Sequence, residues 1–95
     1  MVLITGTSNG VGKAAAKKFL AMGFEVCGID NQEATISHIN YHHYQVDVRD
    51  KANLPKLSNI NYIINNAGIV TPQSDAIDVN AYGYINILEK YGYDP

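Results

Sequence analysis

The run Thr5-Gly6-Thr7-Ser8-Asn9-Gly10-Val11-Gly12 limits this chain more than any other segment. It follows a short apolar run, Val2 to Thr5, and precedes an Ala- and Lys-rich stretch that reaches Met22. Glycines spaced G-x-x-x-G-x-G at such a junction build a tight turn from strand to helix. The turn brings free backbone N–H groups and the positive end of a helix dipole toward an anion, with no Cβ in the way of a pyrophosphate. Ser8 and Asn9 add side-chain donors. A plain turn is the competing reading, and context decides between them.

That context is a strand-helix-strand unit. Val11, Ala15, Phe19 and Met22 fall on one helical face, Lys13 and Lys17 on another, and Gly23 stands where a helix would stop. Phe24 to Asp30 reads as a second strand. Asp30 ends it eighteen residues after Gly12, close to the spacing at which a carboxylate meets the ribose hydroxyls of a bound dinucleotide. Asp30-Asn31-Gln32 brings no lysine or arginine to meet a 2'-phosphate, so NAD is expected over NADP.

Residues 31 to 40 are polar and leave room only for a short helix. Tyr41 to Val48 reads as a third strand, Asp50 to Leu57 as a short helix or turn interrupted by Pro55, and Ile60 to Asn65 as a fourth strand. A last helix is expected from about Asp78 to Tyr91, with Val79, Ala81, Tyr82, Ile85 and Leu88 as its apolar positions. Strands alternating with helices predict an α/β fold of Rossmann type, a doubly wound parallel sheet of about four strands in the order 3-2-1-4. Residues 1–95 form one domain in this reading.

With 46% apolar and 17% charged residues, the composition is that of an ordinary globular domain. The net charge of -2 comes with no basic cluster, so nucleic acid is not an expected partner. No apolar run has the length of a bilayer span, and the first residues do not read as a signal peptide, so a cytoplasmic location is expected. Cys27 is the single cysteine and lies in an apolar run, as a buried strand residue would. His42 and His43 are strand neighbours and point to opposite faces, which argues against a shared metal site. No metal is expected.

Together these residues resemble the short-chain dehydrogenase/reductase family, whose glycine motif T-G-x-x-x-G-x-G matches Thr5 to Gly12. Asp47-Val48 is similar to the family's acidic-aliphatic pair at the adenine. Asn65-Asn66-Ala67-Gly68 matches its N-N-A-G motif, which lines the adenosine and ribose and stabilises the central sheet. Asn80 resembles the helical asparagine that helps hold a water in the family's proton relay. The resemblance implies cofactor contacts at Gly6, Ser8, Asn9, Gly10, Val11, Gly12, Asp30, Asn31, Asp47, Val48, Asn65, Asn66, Ala67 and Gly68. It implies hydride transfer between a nicotinamide and an alcohol or carbonyl substrate.

The family's reaction also uses a tyrosine with a lysine four residues later. None of the seven tyrosines has lysine at that position, and the strand bearing the family's serine is not found. These residues are therefore expected to be the cofactor-binding, N-terminal part of a longer enzyme and inactive alone. Two alternatives stay open. One is a nucleotide-sugar epimerase or dehydratase relative, whose glycines usually follow G-x-x-G-x-x-G instead. The other is a noncatalytic NAD-binding module. Substrate and oligomeric state are not legible, a homo-oligomer being among the states left open.

Overall fold

In the first strand β1, Val2–Thr5, and the second, β2, Val26–Asp30, nearly every side chain is buried. A strand apolar on both faces must be covered on both, and only a sheet with a layer on each side does this. In the computed structural model, residues 1–66 and 84–91 are described. The elements are β1, helix α1 at Gly10–Ala21, β2, β3 at Tyr41–Gln45, a 3-10 turn at Lys51–Asn53, β4 at Tyr62–Asn65 and helix α2 at Tyr84–Tyr91. The strands form one parallel sheet in the order β3-β2-β1-β4. This is the Rossmann-type order expected from the sequence.

The pleat divides the core. Val2, Ile4, Val26 and Tyr41 face Ala16 and Leu20 of α1. Leu3, Cys27 and Ile29 face Val48, Leu54 and Ile87, the last from α2. Register follows, since Val2 lies opposite Val26 and Leu3 opposite Cys27. A slip by one residue would exchange the two sets.

Helix α1 ends as Gly23 implies. Gly23 takes φ +90, its N–H donates to Leu20 O at 3.0 Å, and the Phe24 N–H donates to Phe19 O at 3.0 Å. This pair of bonds is a Schellman stop. The Phe19 and Phe24 rings close it edge to face at 5.5 Å.

Several expectations need correction. The buried stripe of α1 is Gly12, Ala16 and Leu20, whereas Val11 is 75% and Met22 58% exposed. Gly12 presses onto the loop before it, and this turns the helix by one residue position. Residues 31–40 contain no helix, because their backbone groups bind elsewhere: Ser8 Oγ donates to Glu33 O at 2.7 Å and His43 Nε2 meets Gln32 O at 2.9 Å. The third strand stops at Gln45, since Asp47 folds the chain into a turn by accepting the Arg49 N–H at 2.9 Å. The second strand starts at Val26 and the fourth at Tyr62, each later than expected. In α2 the buried residue is Ile87, with Ile85 and Leu88 exposed. Val79, Ala81 and Tyr82 lie outside the described residues.

Among the described residues no helix is long and apolar enough to cross a membrane. No group of three or more His, Cys, Asp or Glu among them could hold a metal ion.

Candidate cofactor site

In an open parallel sheet, ligands bind beyond the carboxyl ends of the strands, where strand order reverses direction. Here that point lies between β1 and β4: the chain winds outward from β1 through β2 to β3, then returns to β4 on the other side. The glycine loop leaves β1 at this point. Its Gly6 and Gly10 adopt φ +75 and +62, conformations that favour glycine. At Gly12 the reason is space. A Cβ there would strike the Gly6 carbonyl oxygen, with Gly6 C at 2.7 Å and Asn66 Nδ2 at 2.8 Å.

Two buried threonines anchor the loop from opposite sides. Thr5 Oγ1 donates to Asn65 Oδ1 at 3.1 Å and accepts the Asn66 N–H at 2.8 Å, tying β1 to the end of β4. Thr7 Oγ1 meets the Tyr41 hydroxyl at 2.6 Å, tying the loop to β3. The phenol reaches across β2 only because residue 28 is glycine; a Cβ at Gly28 would collide with both hydroxyl oxygens. Burial pushes the Tyr41 phenol above its usual range, partly offset by the Thr7 hydrogen bond. It therefore stays protonated at neutral pH.

Asp30 sits beside the loop. One carboxylate oxygen accepts the Ser8 N–H at 3.0 Å and the other the Gln32 N–H at 2.9 Å. A carboxylate has about four acceptor positions, so two remain for hydroxyl donors. Asn9 is the N-cap of α1, yet its side chain makes no capping bond and there is no acidic residue in the first turn. Its amide turns instead to Gln32 Oε1 at 3.2 Å. The Asn9 side chain thus leaves the positive end of α1 uncapped, and glycines face it, which suits an anion.

The other expected site residues are differently placed. The Ser8 hydroxyl is directed to the Glu33 carbonyl, so Ser8 gives the loop its backbone shape and its side-chain proton points away. Asn31 follows β2, where its carbonyl accepts Gln45 Nε2 at 3.3 Å. Val11 is exposed on the outer side of α1. Asp47 is clasped by Arg49, with Nη2 at 2.6 Å and Nε at 3.0 Å. These hydrogen bonds, with the guanidinium charge, hold the Asp47 carboxyl below the usual carboxylate range. Val48 is buried, and its carbonyl accepts Asn86 Nδ2 at 3.0 Å, which docks α2 on this turn. Ala67, Gly68 and Asn80 lie outside the described residues. Thr5, Thr7, Tyr41, His43 and Asn86 carry contacts that the sequence reading did not assign. Gly28 was the available signal, since a glycine inside a buried strand marks the close approach of another group.

Comparison with known proteins agrees with this architecture. A short chain dehydrogenase family model matches residues 1–90. An uncharacterised oxidoreductase of Bacillus subtilis, DltE, is 37% identical over 81 residues, covering 72% of this chain and 32% of its own length. Among solved structures, a short chain dehydrogenase from Leptospira borgpetersenii with bound NAD+ superposes with a TM-score of 0.79 at 19% identity, over 94% of this chain and 43% of that one. The UDP-glucose 4-epimerase of Thermus thermophilus, in complex with NAD, gives 0.74 at 26% identity, over 94% and 32%. The chain thus spans about a third of the length of the curated relatives it matches. With the family model matching residues 1–90 of this chain and the sheet in the order 3-2-1-4, the chain belongs to the short-chain dehydrogenase/reductase family.

Proposed function

We propose that this chain is the cofactor-binding portion of an NAD-dependent oxidoreductase that moves hydride between the nicotinamide and an alcohol or carbonyl carbon. The observation that carries the reading is the placement of the Asp30 carboxylate against the Ser8 N–H, at the mouth of the glycine loop. Gly6, Gly10 and Gly12 admit the pyrophosphate. Asp30 accepts from the adenosine ribose hydroxyls, with Asn31 and Asn9 beside it. Asp47 and Val48 border the adenine, and Asn65 and Asn66 line the opposite wall; the N-N-A-G resemblance extends the cofactor role to Ala67 and Gly68.

The bound dinucleotide supplies the hydride carrier, and these residues hold and orient it. The family's tyrosine-lysine pair is not found among the 95 residues, so the chain by itself binds without turnover. Asn80 is assigned to the family's relay position. The likeness to an epimerase supports the same cofactor; the G-x-x-x-G-x-G spacing supports the dehydrogenase reading over it.

Asp30 also selects the cofactor. A carboxylate at the ribose repels a 2'-phosphate, and no lysine or arginine lies between Asp30 and Asn40 to offset it. Calorimetric titration with NAD and NADP tests this, with NAD expected to bind on the order of tenfold or more tighter. Asp30→Ala should narrow the difference. Equal affinities in the wild type would refute the selection, and no binding of either would refute the site.

A further inference from the structure

We infer that Tyr41 and His43 are positioning residues for this site, acting through a closed ring of hydrogen bonds that begins and ends on the glycine loop. The inference rests on reading that loop as a dinucleotide site. The Tyr41 hydroxyl meets Thr7 Oγ1 at 2.6 Å and His43 Nδ1 at 2.7 Å. His43 Nε2 meets Gln32 O at 2.9 Å, and Gln32 Oε1 accepts from Asn9 Nδ2 at 3.2 Å. Thr7 and Asn9 are two residues apart in the loop, so the ring spans from β1 across β2 to β3 and back.

The directions of the bonds through His43 and Tyr41 follow from the backbone carbonyl of Gln32. Gln32 O only accepts, so His43 Nε2 carries a proton. In the neutral imidazole Nδ1 then accepts, and the Tyr41 hydroxyl donates to it. Tyr41 in turn accepts from Thr7. Removal of Thr7, Tyr41 or His43 leaves a neighbour in the ring short of a donor or an acceptor. Thr7 is fully buried and Tyr41 9% exposed, so water replaces the lost partner poorly.

The ring matters to the site because it holds Gln32. The Gln32 N–H fixes one oxygen of Asp30 at 2.9 Å, and the Gln32 side chain fixes Asn9. Loss of the His43 bond leaves the Gln32 carbonyl only the longer contact from Ser8 Oγ at 3.4 Å, so the segment after β2 relaxes and the Asp30 carboxylate loses its set orientation toward the ribose. The charged groups on the elements around this face are Asp30, Glu33, Lys13, Lys17 and Lys18. None of them hydrogen-bonds to Thr7, Tyr41 or His43.

The test uses the full chain and ADP-ribose, with affinities measured well below the unfolding transition. Tyr41→Phe and His43→Leu are each expected to weaken binding roughly threefold to tenfold. The double variant is expected to be no weaker than either single one, because the ring breaks once. His43→Gln, which offers both an acceptor and an N–H donor, is expected to return affinity to within about twofold of wild type. Leu57→Ala, packed against the core on the opposite face of the sheet from Tyr41, lowers stability and leaves affinity unchanged. Wild-type affinity in Tyr41→Phe, additive losses in the double variant, or an equal loss in Leu57→Ala would overturn the inference.

A ligand-free readout separates this from the cofactor reading. The Ser8 and Gln32 amide resonances are expected to move in Tyr41→Phe and in His43→Leu, and to return in His43→Gln. If they stay put, the ring does not position the loop. If they move while wild type binds no ADP-ribose, the cofactor reading fails and the affinity claim with it, leaving the ring's hold on the loop established.

Discussion

Gly12→Ala adds one methyl group at the tightest point of the structure. The new Cβ would lie 2.7 Å from the Gly6 carbonyl carbon and 2.8 Å from Asn66 Nδ2, and closer still to the Gly6 oxygen. Ordinary carbon contacts are about 3.5 to 4.0 Å, so α1 and the loop must part by roughly 1 Å. Asn66 can swing aside; the Gly6 backbone cannot. Nor can α1 withdraw freely, because Ala16 and Leu20 on the same stripe are buried against the sheet. Overpacking of this kind costs about 1–3 kcal/mol and sometimes more, and the backbone contact puts this case at the upper end. For a domain of this size 2–3 kcal/mol lowers Tm by roughly 10–20 °C. Gly10→Ala is the internal control. Its Cβ would meet nothing within 4 Å, yet φ is +62, so the cost is only the left-handed penalty of about 1–2 kcal/mol. Thermal and urea unfolding followed by circular dichroism compares the two. If Gly12→Ala proves as stable as wild type, or more stable than Gly10→Ala, the close approach of helix to loop is not what requires glycine there.

Thr5→Val keeps the shape of a buried strand residue and removes the bonds to Asn65 and Asn66; urea titration should find a loss of about 1–3 kcal/mol. The Asp47 carboxyl, held low by Arg49, contributes stability above the unfolded carboxylate pKa of about 3.9, and that contribution disappears as pH falls through the lower folded value. Arg49→Leu should therefore raise the Asp47 titration midpoint in carbon-detected NMR, and an unmoved midpoint would mean the clasp is not formed in solution. Burial, reinforced by Glu25, pushes the Cys27 thiol up to about 12. Ellman's reagent at pH 8 should accordingly react with Cys27 only after denaturation, and prompt reaction of the folded chain would contradict a closed core.

Local chemistry made a good part of this protein legible in one dimension. The span Val2–Thr5 is a strand by its apolar run, and Gly23 stops α1 because few other residues accept its φ. The order 3-2-1-4 follows from strands alternating with helices, since parallel neighbours need a crossover between them. The Thr5 to Gly12 motif identified the family for the same reason: turn, close approach and helix start each demand a particular residue type at a particular step.

Contacts between distant segments decided the rest. Periodicity alone assigned Val11 and Met22 to the buried face of α1, but the contact of Gly12 with Gly6 and Asn66 sets the rotation of the helix. Residues 31–40 leave room for a short helix, but their backbone groups instead serve Ser8 and His43 from other segments. Tyr41 and His43 read as ordinary strand residues because nothing local distinguishes them. Their role exists only where Gly28 leaves a gap in β2 and Thr7 arrives above it. A hydrogen bond between residues 34 positions apart leaves no pattern in either stretch of sequence, so only the folded sheet, which brings β1, β2 and β3 side by side, can make it.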